Sequence, residues 1–502
     1  MNTEEKSKTF ANTSENVLIW ILCFAAALRV FVFSAAFPFF SNVDEYLHFD
    51  VITQYSHAGL PRSFDRLKEE SLNRIVLYAS PEFLFAPEQF PGGKFPAPLW
   101  KQSGPAAERE ITATKAAWSS EINFESSQPP LYYALATFWY WIGKQTGLGG
   151  LESLYWIRFL NVPLIAIVVW IGYLSARMIS PDRLDLRIGV PLLLAFFPQN
   201  VFYTMNNDVL SPLCFGAMFL CVLQWMRAET ASVALGVVTG VAMAAAFLAK
   251  LSNLPLIAVA LIVVVLKLLH IIRRTPRKGL AALAALVVCA AIPIGSWILW
   301  TQCEFGDPTG STGKIALLGW TRKPFADWWQ HPIFTFHGLW VFWSSLIASF
   351  WRGEVNWYGH PLSLGPADRF FGVSTLVLLA AAIVGLRKHA GLSSFQRQAI
   401  GVAIVIFLAG IVFLALLSIQ FDFGNSTGPS RAHPYFTAGR LLTGALIPFA
   451  LLYVYGIASL CDRARSQILP VAVVAGVVTF VVASEMITNH VVFRSEHNWF
   501  HR

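Results

Sequence analysis

Long apolar segments recur along the whole chain, and they constrain its fold more than any other feature. The first covers residues 17–40, which is long enough to cross a bilayer at about 1.5 Å per helical residue. Further apolar segments lie at 153–176, 188–204, 209–226, 232–249, 253–272, 280–300, 371–387, 399–420, 437–460 and 468–486. The sequence therefore predicts an all-α, multi-pass protein of the cell membrane.

The composition agrees with this class and excludes others. Hydrophobic residues make up 55% of the 502 residues and charged residues 13%, whereas a soluble domain carries roughly twice that charged fraction. The net charge of +8 does not indicate a nucleic-acid partner, because the basic residues of membrane proteins collect in cytoplasmic loops. The six cysteines are scattered and show neither zinc-ligand spacing nor a disulfide framework.

The basic loops fix the predicted topology. They contain Arg177/Arg183/Arg187, Arg227, Arg273/Arg274/Arg277/Lys278, Arg387/Lys388/Arg397 and Arg463/Arg465. All of these loops face the cytoplasm only if the aromatic stretches 131–147 and 333–351 lie on the membrane, or dip into it, instead of crossing it. About eleven spans then result, with the N-terminus inside and with the C-terminus and both long polar loops outside.

This topology also divides the chain. The parts are a cytoplasmic tail at 1–16, a transmembrane module at 17–300 that includes the outer loop 41–152, a second outer loop with an interfacial helix at 301–370, and a C-terminal transmembrane module at 371–502. The first outer loop is too long for a passive turn, and loops of this size are usually functional. We expect amphipathic helices beside the membrane within it.

A cluster of charge follows the first apolar segment directly. Asp44, Glu45, His48 and Asp50 stand within seven positions. If this stretch is helical, Asp44 and His48 share one face as an i, i+4 pair, and Glu45 is turned away. The alternative is a solvated helix start in which Asp44 is the cap.

Other polar residues fall at the same outer edge of the membrane in this topology. They are Asn206-Asn207-Asp208, Lys250, Glu354, Arg431, His433 and Arg440. Charges at membrane depth are costly and tend to mark function. Carboxylates and cations on one face of the membrane indicate an active site with acidic and anion-binding parts.

The motifs at these positions resemble those of the GT-C superfamily, membrane glycosyltransferases that use polyprenyl-phosphate-linked sugars. The motifs are Asp44-Glu45-x-x-His48-Phe49, Gln128-Pro129-Pro130-Leu131-Tyr132-Tyr133, Asn206-Asn207-Asp208, Ala249-Lys250-Leu251-Ser252 and Gly439-Arg440-Leu441. The set is similar to that of protein O-mannosyltransferases, aminoarabinose transferases and a related membrane family of unknown function with a DExxHF motif. Leu441 stands where relatives usually carry tyrosine.

The resemblance implies that Asp44 is the general base for the acceptor hydroxyl, in an inverting displacement. For Glu45 the resemblance allows three roles: sharing the role of base, binding substrate or supporting Asp44. His48 is expected to hydrogen-bond Asp44 across one turn and fix its orientation, against a purely structural role.

Further roles follow from the same resemblance. Asp208 with Asn207 would position the acceptor or act as a second acid, against a plain N-cap. Lys250 and Arg440 would bind the donor phosphate, against a snorkelling residue and an interface anchor. Arg431 and His433 are weaker candidates for the donor phosphate, because outer loops often carry solvated charge.

The sequence thus predicts a glycosyltransferase on the outer, periplasmic or extracellular, face. Its donor would be a polyprenyl-phosphate-linked sugar, and its acceptor a glycan, lipid or protein. No residues are predicted to bind a metal, although relatives differ on a divalent cation, Mg²⁺ or Mn²⁺. Two alternatives stay open: a transporter or flippase of lipid-linked saccharides, which would show inverted repeats, and a non-catalytic membrane assembly protein.

Overall fold

The computed structural model describes residues 3–388, 391–426, 428–462, 466 and 468–501, with side chains from Ser14 onward. Most of the described chain is α-helical. The helices are α1 Thr3–Ala36, α2 Glu45–Ser56, α3 Glu69–Tyr78, α4 Pro105–Trp118, α5 Leu131–Gln145, α6 Gly150–Phe159, α7 Asn161–Ile179, α8 Leu184–Ala195, α9 Ser211–Arg227, α10 Val233–Ala249, α11 Leu254–Arg274, α12 Pro276–Phe305, α13 Ser311–Leu317, α14 Phe336–Arg352, α15 Gly365–Lys388, α16 Ser394–Gln420, α17 Leu446–Cys461 and α18 Ile468–Asn489.

The strands are minor and lie in the polar loops. Strand β1 (Thr321–Arg322) pairs with β4 (Phe421–Asp422), and β2 (Asn356–Trp357) pairs with β3 (His360–Pro361), both antiparallel. The first pair connects the second long loop to the end of α16, and the second pair is a hairpin just after α14. Both pairs fasten segments of the polar loops.

Within the described residues, nine helical segments are long and apolar enough to cross a membrane. They coincide with nine of the predicted spans, and the all-α multi-pass architecture is confirmed. They are Ser14–Ala36, Gly150–Ile179, Asn207–Arg227, Leu251–Arg274, Pro276–Phe305, Gly365–Lys388, Ser394–Gln420, Gly439–Cys461 and Ile468–Asn489. The loop residues Arg463 and Arg465 lie outside the described residues.

Two predicted spans take shorter forms. The segment 232–249 is the apolar helix α10, which is 17 residues long. The segment 188–204 is not one continuous helix: α8 has 12 residues and ends at Ala195, and a 3₁₀ helix follows at Asn200–Tyr203. Pro198 accounts for this break, because a proline disfavours helical geometry in the residue before it and lacks an N–H for the helix.

The two aromatic stretches form separate short helices. They are α5, with 15 residues, and α14, with 17 residues. Neither is among the helices long enough to span, as the charge pattern predicts. The first long loop also contains α3 and α4, which lie outside the apolar segments and pack against each other.

A buried ion pair joins the first and last spans. Arg29 of α1 donates from Nη1 to Glu485 Oε1 of α18 at 3.0 Å and from Nε to the carbonyl oxygen of Ala195 at 3.1 Å. Its Nη1 also contacts the hydroxyl of Tyr203 at 2.5 Å. Because each charge has a partner, the pair fastens α18 to α1 without leaving a bare charge in the membrane.

Candidate active site

Asp44 occupies the residue just before α2, in the left-handed region of backbone space (φ 62°, ψ 16°). Aspartate is one of the few non-glycine residues that tolerate this conformation. The side chain makes no capping hydrogen bond to α2, so the helix-cap alternative does not describe its contacts. It reaches instead across the site to an arginine 396 residues later in the chain.

Arg440 lies at the centre of three carboxylates. Its Nη2 donates to Asp44 Oδ2 at 2.9 Å, its Nε is 3.4 Å from Asp208 Oδ2, and its Nη1 is 3.7 Å from Glu354 Oε2. Its backbone N–H also donates to Glu354 Oε1 at 3.3 Å. The planar guanidinium therefore sets the mutual positions of three acids that come from separate parts of the chain.

Lys250 supplies a second cation to the same cluster. Its Nζ is 3.2 Å from Asp208 Oδ1 and donates to Asn207 Oδ1 at 2.5 Å. The residue follows α10 in extended backbone and is largely buried, with one tenth of its side chain exposed. The tip of the α10–α11 connection thus delivers this ammonium to the carboxylates.

Asp208 is the acid most enclosed by the cluster. Its side chain has no exposed area, and neither carboxylate oxygen makes a hydrogen bond; only the two ion pairs hold it. The capping role belongs to Asn206, whose side chain accepts from the Asp208 backbone N–H at 2.9 Å. Asp208 is therefore free to hold Lys250 and Arg440 in place.

Two glycines permit the close approach that places Arg440 and Glu354. A Cβ at Gly439 would overlap the backbone of Phe350 in α14, and one at Gly353 would overlap the side chain of Asn200. Gly353 also has a φ of +91°, which side chains rarely adopt. Each glycine directly precedes a charged residue of the cluster.

Glu45 does not face the cluster. Its Oε1 and Oε2 accept from Nε and Nη2 of Arg158, both at 2.7 Å, and both side chains are fully buried. The carboxylate also accepts the backbone N–H groups of Phe40, Ser41 and Met205. This acid holds together the end of α1, the start of α2 and the 205–208 loop, and so supports the backbone that carries Asp44.

His48 makes a different contact from the predicted one. Its Nδ1 hydrogen-bonds the hydroxyl of Tyr133 at 2.8 Å. The expected bond between the ring and the Asp44 side chain is wrong, because Asp44 precedes α2 in left-handed backbone and does not share the helix face of His48. Burial lowers the pKa of His48 to about 3, so the ring is neutral.

Glu125 and Lys314 form an ion pair beside the cluster that the motifs did not reveal. Lys314 Nζ contacts Glu125 Oε1 at 2.5 Å, while Glu125 Oε2 is buried without a hydrogen bond. Burial raises the pKa of Glu125, but the positive groups around it, Lys314 first and Lys250 among them, together lower it to about 2. Glu125 stands three residues before the Gln128-Pro129 motif, whereas nothing in the sequence singles out Lys314.

The two carboxylates with exposed area titrate differently from Glu125. About a fifth of the Asp44 side chain and 24% of that of Glu354 remain exposed. Burial raises the pKa of Asp44, although the neighbouring Arg440 opposes this rise. Burial also raises the pKa of Glu354, again against Arg440.

Arg431 and His433 lie apart from this cluster in their contacts. Arg431 is exposed and donates to Asp422 at 2.9 Å. His433 is exposed and its ring packs edge-on against Tyr435. In the described contacts neither residue touches Asp44, Asp208 or Arg440.

The carboxylates of the cluster that could bind Mg²⁺ or Mn²⁺ are paired with cations of the protein. The carboxylates of Asp44, Asp208 and Glu354 are directed at Arg440. Among the described residues no group of His, Cys, Asp and Glu is placed to hold a metal ion.

The family of the chain follows from its sequence. A family model described as "Predicted membrane protein (DUF2142)" matches residues 28–428. The chain belongs to this family. The matched region of this DUF2142 protein includes Asp44, Asp208, Lys250 and Glu354, and ends before Arg440. No curated protein matches the chain.

Solved structures similar to the DUF2142 protein are distant from it. The archaeal oligosaccharyltransferase AglB of Archaeoglobus fulgidus, in complex with an inhibitory peptide and a dolichol-phosphate, is 12% identical with a TM-score of 0.41; the match covers 97% of this chain and 56% of that one. ArnT of Cupriavidus metallidurans, bound to undecaprenyl phosphate, is 15% identical with a TM-score of 0.32, over 88% and 78% of the two chains.

The DUF2142 protein spans little more than half the length of the oligosaccharyltransferase. Neither likeness assigns an activity, a donor or an acceptor to this chain.

Proposed function

We propose that this protein is a membrane glycosyltransferase that moves a sugar from a polyprenyl-phosphate-linked donor to a hydroxyl acceptor. The observation that carries the proposal is the convergence of Asp44, Asp208, Lys250, Glu354 and Arg440 from distant parts of the chain. Such a transfer needs a base for the hydroxyl proton and cations for the phosphate leaving group. The cluster contains both kinds of group, on the outer face in the predicted topology.

Asp44 is the base in this proposal. An acceptor must reach the base, and Asp44 keeps about a fifth of its side chain exposed, whereas Asp208 is fully buried. Glu354 is similarly exposed, but its Oε1 accepts the backbone N–H of Arg440. Glu354 and Asp208 then act as positioning residues that hold Arg440.

Lys250 and Arg440 bind the donor phosphate. Four carboxylates (Asp44, Glu125, Asp208 and Glu354) stand against three cations (Lys250, Lys314 and Arg440), so the site has one negative charge in excess when all are ionised. An incoming phosphate competes with Asp44 for the Arg440 guanidinium. Binding of the donor thereby frees Asp44 for the acceptor hydroxyl.

The chemical step is a single displacement. The acceptor oxygen forms a bond to the anomeric carbon while the bond from that carbon to the phosphate oxygen breaks. The Asp44 carboxylate takes the hydroxyl proton, and the leaving phosphate keeps the electron pair and is stabilised by Lys250 and Arg440. Attack opposite the phosphate inverts the anomeric centre.

The purified protein in lipid nanodiscs tests this function. We expect transfer of radiolabelled sugar from polyprenyl-phosphate-linked donors to a panel of glycan, lipid and peptide acceptors. Lys250→Met should lower kcat/KM by about 10²-fold, on the order of the loss from removing one preorganised donor to a developing charge. Lys278→Met removes a basic-loop lysine instead and should leave transfer unchanged. An unaltered rate in Lys250→Met would contradict the phosphate role.

The pH dependence of transfer follows from the raised pKa of Asp44. A general base acts only when deprotonated, so activity falls as pH drops through that pKa. We expect the acidic limb of kcat/KM above pH 4, near which an ordinary aspartate titrates. The limb should persist in Glu354→Gln, because Asp44 is still present. It should also persist in His48→Gln, because His48 is neutral throughout this pH range. A limb near pH 6.5 that disappears in His48→Gln would assign the base to the histidine.

A further inference from the structure

A long apolar groove lies between three spans, away from the carboxylate cluster. Its floor is α17 and its walls are α15 and α18, and it encloses about 580 Å³. This volume falls within the range of about 300–1,000 Å³ that is typical of ligand sites. The groove and the cluster have no lining residue in common.

The groove runs along most of the depth of the membrane. On α15 it extends from Arg369 to Leu378, about 14 Å at 1.5 Å per residue. Gly456 of α17 packs on the backbone of Leu378, and the groove continues from that level to Cys461, about another 8 Å. A total of roughly 20 Å compares with a hydrocarbon core of about 30 Å.

The lining suits a hydrocarbon chain. Val373, Val377, Leu460 and Val473 leave large exposed areas toward the groove side of the bundle. Two polar side chains in the groove hydrogen-bond each other: the Tyr453 hydroxyl donates to Ser374 Oγ at 3.0 Å. A hydrocarbon chain therefore meets no unsatisfied polar group along this surface.

A single cation stands at one end of the groove lining. Arg369 is exposed near the start of the span Gly365–Lys388, and no hydrogen bond or ion pair of the described residues includes it. The adjacent Asp368 is engaged by Arg352 at 2.9 Å and so does not neutralise it. An anionic headgroup at the membrane surface complements this charge.

We propose that this groove binds an anionic phospholipid of the surrounding bilayer, with one acyl chain along α17 and the phosphate at Arg369. The phospholipid fits better than the lipid-linked donor, because the donor phosphate is proposed to bind Lys250 and Arg440, which do not line the groove. A lipid here fills the space between α15 and α18, which meet at the tilted rings of Phe370 and Phe480. It stabilises the last span.

Lipid retention by the full-length protein tests the proposal. Protein purified from vesicles of phosphatidylglycerol and phosphatidylcholine is delipidated in steps, and the retained lipid is quantified by mass spectrometry. We expect phosphatidylglycerol to be enriched several-fold in the wild type. The enrichment should be lost in Arg369→Gln, and both lipids should be lost in Val477→Trp, which fills the groove.

The control is Leu266→Trp, an equally large change at a lipid-exposed position of α11, which should retain the wild-type amount. Added phosphatidylglycerol should also raise the thermal unfolding midpoint of the wild type and not that of Arg369→Gln. Equal retention in all four proteins would overturn the site. Retention of added polyprenyl phosphate in place of phosphatidylglycerol would overturn the occupant.

Discussion

Asp44→Asn is expected to lower sugar transfer by about 10²- to 10⁴-fold, the contribution of a positioned general base. The substitution keeps the size of the side chain and an oxygen for the 2.9 Å contact with Arg440, but the amide does not accept the hydroxyl proton. The loss should appear in kcat at saturating donor. Donor binding should not weaken, because Lys250 and Arg440 remain and the neutral amide competes less than the carboxylate with the phosphate for Arg440.

Two variants separate the base from a residue that only positions Arg440. Glu354→Gln removes another carboxylate charge beside Arg440 and should cost much less than Asp44→Asn, with the acidic limb of the pH profile retained. Asp422→Asn makes the same chemical change in a carboxylate paired with exposed Arg431 and should leave transfer intact. Equal losses in Asp44→Asn and Glu354→Gln would argue against Asp44 as the base.

Arg158→Met is expected to be the most destabilising single substitution near the site. It leaves the Glu45 carboxylate buried without its cation, and it removes donors to the carbonyl oxygens of Ser34, Phe37 and Pro38. Breaking one side of a buried pair costs about 3–5 kcal/mol. The thermal unfolding midpoint in nanodiscs and the yield of folded protein measure the effect.

The double variant Arg158→Met/Glu45→Gln should recover part of the lost stability. Glutamine carries no charge, and its single oxygen accepts the N–H of either Phe40 or Met205, which bond different oxygens of the Glu45 carboxylate. The matched control is Arg431→Met, which removes an exposed arginine from an ion pair and should leave the midpoint unchanged. If Arg158→Met unfolds at the same temperature as Arg431→Met, Glu45 does not hold this region together.

The contrast between Asp44 and Glu45 shows where the sequence stops being informative. Both are acids of one motif, and helical periodicity places them on different faces without saying which face meets the site. The structure distinguishes the two acids by their ion-pair partners: Glu45 pairs with Arg158, and Asp44 pairs with Arg440. Periodicity also misled for His48, because it assumes that Asp44 is helical, whereas its φ is 62°.

The pairing of Glu125 with Lys314 also could not be predicted from the sequence. They lie 189 residues apart, in the two long polar loops. Glu125 lies in a turn, and Lys314 lies in the seven-residue helix α13, so no apolar periodicity around them predicts which way their side chains face. A charge in a polar loop is usually solvated. Only the packing of both loops on one end of the bundle buries this pair beside the cluster.

By itself the sequence determined that this is a membrane protein and located nine of its long spans. It also singled out Asp44, Asp208, Lys250 and Arg440, which the structure brings together in one cluster. Span length and hydrophobicity are local properties, since each helix satisfies its own backbone in lipid. The tertiary structure alone decided the ion-pair partners and the apolar groove between α15, α17 and α18. These depend on contacts between residues far apart in the chain, which local pattern does not encode.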